Sequence, residues 1–120
     1  MAEESSFDNK VKKYISSKKG WFIKYWAGSD FTKKGIPDIL ACINGRFYGI
    51  EDKSHNGRPR MLQLINLRDI RKAGGIGVLL YPKDFQNFKN LVDGKETGKT
   101  WYLENIALQN DWYDRLNQYL

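Results

Sequence analysis

At 120 residues the chain has room for one domain around a single core. Its 20 Lys and Arg against 14 Asp and Glu give a formal charge of +6, which favours a polyanionic partner, and no apolar run reaches the roughly 18 residues of a membrane-spanning helix. The single cysteine, Cys42, excludes both a disulfide framework and a cysteine-based zinc site and suits a reducing, cytoplasmic setting, while the N-terminal MAEESSFDNK is unlike a signal peptide.

Residues 3–18 predict a helix, because Phe7, Val11, Tyr14 and Ile15 follow the spacing of a buried stripe. Glu4 extends that stripe, and Glu3 sits about 100° away around the helix. A carboxylate at Glu4 either partners the dipole at the helix N-terminus or reaches inward to a site. Lys18-Lys19-Gly20 ends the helix, with Gly20 as its cap. WFIKYW, 21–26, predicts a strand in which Lys24 faces either the site or solvent. Residues 27–34 form a polar loop that brings Lys33 and Lys34 to the mouth of the site, and Pro37 marks the start of the next strand.

Ile39 to Ile43 and Arg46 to Lys53 predict a β-hairpin joined by Asn44-Gly45, the strongest short turn signal a sequence offers. In a two-residue turn Ile43 pairs with Arg46, Cys42 with Phe47, Leu40 with Gly49 and Asp38 with Glu51. Lys53, two residues on, points the same way. Two carboxylates so close repel, and one must protonate unless a cation sits between them. Lys53 or a divalent ion such as Mg²⁺ meets that need. A plain salt-bridge trio is the alternative without chemistry.

Ser54 to Arg60, SHNGRPR, offers His55, Arg58 and Arg60 as phosphate contacts. Residues 60–72 predict a second helix with Pro59 in its first turn. One stripe holds Met61, Leu62 and Ile65; Leu67 and Ile70 form another, with Gln63 aligned on it. Gln63 therefore faces inward, either as a structural hydrogen-bonder or as part of a site. The sheet buries one stripe, so the other predicts a homodimer, the alternative being that the terminal helix with Trp112 and Leu116 covers it within one chain. Ile76 to Tyr81 completes an αβββαβ order. Pro82 opens a short helix carrying Phe85, Phe88, Leu91 and Val92. The run 94–100 looks like a P-loop but has three residues between its glycines where four are needed; it predicts a solvated loop and no nucleotide cofactor. Residues 108–120 predict a last helix with Trp112, Leu116, Tyr119 and Leu120 on one packed face.

Pro37-Asp38 followed by Glu51-Asp52-Lys53 resembles the PD-(D/E)xK nuclease superfamily. The longer set GIPDIL, GIEDK, GRP, LQ and LRDIRKAGG, over residues 4–81, is similar to the VRR-NUC family of virus-type replication-repair nucleases and in layout to Holliday junction resolvases. The resemblance implies a single α/β domain with a central mixed sheet flanked by helices and a C-terminal helical extension over 82–120. It also implies Mg²⁺- or Mn²⁺-dependent hydrolysis of phosphodiester bonds in DNA, with branched DNA as substrate. Carried across, Asp38 and Glu51 are metal ligands, joined by the main-chain carbonyl of Asp52 and by Glu4. Lys53 orients or activates the attacking water, and Gln63 steadies the site. Lys33, Lys34, Arg58 and Arg60 contact the nucleic acid. One departure stands out: the residue between Glu and Lys is usually apolar in this pattern, so Asp52 implies either a wet sheet face or a cation nearby. A non-catalytic DNA-binding module and an RNA-directed nuclease are the rival readings.

Overall fold

The structure, a computed structural model, describes residues 2–25 and 33–119; of residues 2–5 it describes the backbone alone. Helix α1 (Ala2–Ser17) leads into strand β1 (Trp21–Lys24), the hairpin β2 (Ile39–Ile43) and β3 (Arg46–Asp52), helix α2 (Met61–Lys72) and strand β4 (Ile76–Leu80). One 3₁₀ turn (Pro82–Asp84), α3 (Phe85–Val92) and a long α4 (Glu96–Asn117) complete the chain. The sheet order is β1-β2-β3-β4, antiparallel except for the parallel pair β3–β4, which α2 connects. This is the predicted αβββαβ α/β core. No helix among the described residues is long and apolar enough to cross a membrane.

The hairpin register is as the turn residues predict: Ile43 pairs with Arg46, Cys42 with Phe47 and Leu40 with Gly49. Asn44 and Gly45 both take positive φ, 52° and 77°, which a tight hairpin turn demands. Alternation then sorts the strands into two faces. Ile39, Ala41, Ile43, Tyr48, Ile50, Val78 and Leu80 pack with Phe7, Val11 and Ile15 of α1 and with Phe88 and Leu91 of α3. On the opposite face Leu79 and Tyr81 meet Leu67 of α2 and Trp112 of α4.

Several boundaries differ from the sequence expectation. The left-handed residue ending α1 is Lys19 (φ 57°) rather than Gly20, whose amide instead donates to the Ile15 carbonyl at 3.0 Å. Pro59 precedes α2, and Arg60 is its N-cap. Along α2, Leu64 and Leu67 are buried, Met61, Ile65 and Ile70 are partly covered, and Leu62 stays exposed.

The largest correction concerns 96–100, which belongs to α4 and not to a loop. Gly98 lies where α4 crosses α3: a Cβ there would come 2.1 Å from the Leu91 nitrogen, so the contact requires glycine. The inward residues of α4 are Trp101, Asn105 and Gln109, whereas Tyr119 is exposed and Leu120 lies outside the described residues. These buried amides occupy the free edge of β4. Asn105 accepts from the Leu79 amide at 3.0 Å and donates to the Leu79 carbonyl at 2.8 Å. Gln109 donates to the Gly77 carbonyl at 3.0 Å, and the Gly77 amide donates to the Tyr102 hydroxyl at 3.1 Å. An otherwise bare strand edge is thus satisfied by side chains.

Candidate active site

Asp38, Glu51, Lys53 and Gln63 meet at one end of the sheet, where β2 begins and β3 ends. Hairpin register brings Asp38 beside Glu51, and the two-residue strand repeat turns Lys53 toward the same side. The Lys53 ammonium lies 3.4 Å from Glu51 Oε2. Gln63 donates to that same oxygen at 3.0 Å, while its Oε1 accepts from the Arg60 backbone amide at 2.8 Å. That second bond fixes which end of the carboxamide faces Glu51, because the oxygen is already committed. The first turn of α2 therefore both caps itself and holds a carboxylate. Asp38 Oδ2 accepts from the Asp52 amide at 3.0 Å.

Glu51 is 2% exposed, and its Oε1 has no donor among the described residues when both carboxyls are ionised. Burial, reinforced by the neighbouring Asp38 charge and only partly opposed by Lys53, pushes its pKa up to about 8. A proton shared with Asp38 relieves this arrangement. A cation of hard, oxygen-loving character would relieve it equally well, so the donor set fits Mg²⁺ or Mn²⁺. Among the described residues no cluster of three or more His, Cys, Asp or Glu side chains is drawn together as a complete metal site. The expected fourth donor, Glu4, has its side chain outside the described residues.

On the other face of the sheet lies a group the sequence did not announce. Asp52 is fully buried, and its carboxyl is held against Asp8 of α1 and Lys24 of β1. Lys24 forms a short ion pair with Asp8 and lies 3.8 Å from Asp38 Oδ1, so it touches both faces at the end of the sheet. Burial, followed by the hydrogen bond to Asp8, drives Asp52 well above the usual carboxylate range. Burial also pulls Asp8 upward, but the hydrogen bond from Asp52 and the ammonium of Lys24 outweigh it and leave Asp8 low. The sheet face at Asp52 is dry, and the neighbouring cation, Lys24, forms its ion pairs with Asp8 and Asp38 while only partly offsetting the burial of Asp52.

The basic residues divide between two flanks. Lys33, Lys34 and Arg60 border a cavity of about 420 Å³ that opens beside Asp38 and Gln63. Arg58 instead lies with His55, Lys83, Trp112 and Arg115 along a shallower cleft of about 380 Å³, where the Arg115 guanidinium stacks on Trp112 at 5.3 Å. Lys83, Trp112 and Arg115 belong to the helical extension, and register counting in the core has no means of reaching them.

The sequence itself matches neither a protein-family model nor a curated relative. The structure is similar to a solved VRR_NUC domain, with 25% identity and a TM-score of 0.54 over 62% of this chain and 80% of that one. The chain thus has a VRR-NUC-like nuclease fold. A second similar structure is the Holliday junction resolvase Hjc of the archaeal hyperthermophile Archaeoglobus fulgidus, at 21% identity and a TM-score of 0.44 over 65% of this chain and 69% of that one.

Proposed function

We propose that this chain is a divalent-metal-dependent endonuclease that hydrolyses phosphodiester bonds in DNA, with branched DNA such as a four-way junction as its preferred substrate. The observation that carries the reading is the close pairing of buried Glu51 with Asp38 beside Lys53, at the end of a VRR-NUC-like sheet. Asp38, Glu51, the Asp52 main-chain carbonyl and Glu4 would hold Mg²⁺ or Mn²⁺. When bound, the ion supplies polarisation of a phosphoryl oxygen and acidification of water.

The chain's own groups do the rest. Gln63 keeps Glu51 from rotating, because its carboxamide is anchored at both ends. The backbone amide of Asp52 fixes one oxygen of Asp38, and the Lys24 ammonium lies 3.8 Å from the other. Lys53 brings positive charge to where the phosphate gathers negative charge in the transition state, and its burial strengthens that effect. Lys33, Lys34 and Arg60 on one side and Arg58 on the other take the phosphates that flank the cut.

A homodimer belongs to the same proposal. The exposed apolar surface is concentrated less on α2 than on the sheet, where Trp21 (64% exposed), Ile23 and Phe47 lie on the α2-side face of β1–β3. A second copy covering it would hold two sites at a fixed separation, which suits paired cuts across a junction. Purified protein should nick an end-labelled four-way junction with Mn²⁺ and leave it intact with EDTA. Metal-independent cleavage, or none at all, overturns the reading.

A further inference from the structure

We propose that the cavity beside Asp38 is a subsite for one unpaired nucleotide, whose base enters the pocket while its phosphate lies next to the scissile bond. This deepens the nuclease reading and rests on it. The walls are Tyr25, Ile36, Met61 and Leu62, an aromatic and three aliphatic side chains, and Lys33, Lys34 and Arg60 stand around them. A volume of about 420 Å³ falls within the range of about 300–1,000 Å³ typical of small-ligand sites, which accommodates a nucleotide and excludes a duplex. Apolar walls accept the faces of a base, and the cations accept its phosphate. Because Asp38 and Gln63 also line the cavity, its occupant lies directly against the carboxylate cluster.

The pocket is built in advance of any ligand. Asn66, itself buried, donates to the carbonyls of Lys34 and Leu62, both at 2.9 Å, and so ties the segment 33–36 to the first turn of α2. The Tyr25 hydroxyl donates to the Lys33 carbonyl at 3.2 Å. Gly35 has φ +77°, and a Cβ there would lie 2.6 Å from the Leu62 carbonyl carbon; only glycine lets the two segments touch. Leu62 is nevertheless 49% exposed. A base stacked over it gives that exposed side chain a partner. Fully paired duplex has no nucleotide free to enter, whereas a flap or bulge supplies one, and a four-way junction supplies one when a base pair opens at its branch point. Selectivity for DNA that presents an unpaired nucleotide then follows from the pocket itself.

The test compares duplexes carrying one bulged nucleotide, with its base present or replaced by an abasic analogue. Anisotropy titrations in EDTA read binding without cleavage, and Mn²⁺ reactions on the same DNAs read cutting. Wild-type protein is expected to bind the abasic bulge about tenfold more weakly, the scale of one lost base stack. Leu62→Ala, at a half-exposed position, should lose most of that discrimination while keeping its circular dichroism spectrum. Equal wild-type affinity for both DNAs overturns the subsite, and the DNA arm needs no variant to fold. Cleavage of both DNAs at equal rate and affinity leaves the nuclease standing and removes the pocket. Discrimination in binding with no cleavage of any DNA supports the pocket and removes the nuclease reading.

Discussion

At the scale of single residues, Glu51 is where stability and chemistry pull in opposite directions. Its folded pKa of about 8 lies above the ordinary 4.5, so the neutral form is the comfortable one in the absence of metal. The sign follows: the contribution to stability is intact below about pH 4.5 and is lost as the pH rises toward 8. Urea unfolding in EDTA should therefore find the protein weaker at pH 8 than at pH 5. Glu51→Gln should recover roughly 2–4 kcal/mol at pH 8, with Asp52 maintaining a residual slope. The same variant, like Asp38→Asn, should abolish cleavage of a four-way junction while DNA binding survives. Lys53→Ala should lower the cleavage rate far more than affinity. Arg58→Ala and Arg60→Ala should do the reverse, each reducing the salt slope of binding by about one. Equal losses of rate and affinity in all three would sink that division of roles. Asp38, Glu51 and Lys53 were legible in the sequence because Asn44-Gly45 fixes the register between them. Asp8 was not. A helical wheel gives direction but not depth, and its partners Lys24 and Asp52 come from strands that no local pattern links to α1.

At the scale of elements, the first turn of α2 and the length of α4 each carry a consequence. Gln63→Ala removes a hydrogen bond to Glu51 and half of a capping interaction together. A loss of about 1–2 kcal/mol is expected, with the cleavage rate falling more than DNA affinity. Asn105→Ala leaves a buried amide and a buried carbonyl of Leu79 unpaired, so it should cost about 2–4 kcal/mol in a urea titration. A near-neutral result would mean water replaces the side chain at the strand edge. The core elements were readable because their apolar residues repeat with the period of a helix or a strand. The start of α4 was not, since its glycines and lysines have loop composition and its inward positions are amides. Their role is visible only beside β4.

At the scale of the whole molecule, two basic flanks border one acidic end of the sheet, and an apolar patch lies on the face of the sheet away from α1. Sedimentation at micromolar concentration tests the pairing: a 14.0 kDa species would end it, and Trp21→Lys should shift a dimer toward that mass. Nothing in a single chain's periodicity reveals a leftover sheet face, because β1 alternates like any half-buried strand. The far side of the sheet carries a different consequence. The carboxamide of Asn105 offers Leu79 the same donor and acceptor that a fifth strand would, so the sheet is closed by a helix posing as its next neighbour. The amide protons of Gly77 and Leu79 are then sheltered by side chains of α4 rather than by backbone. In deuterium exchange they should keep common time with one another and with the helix, becoming labelled only in those moments when the whole of α4 lifts away.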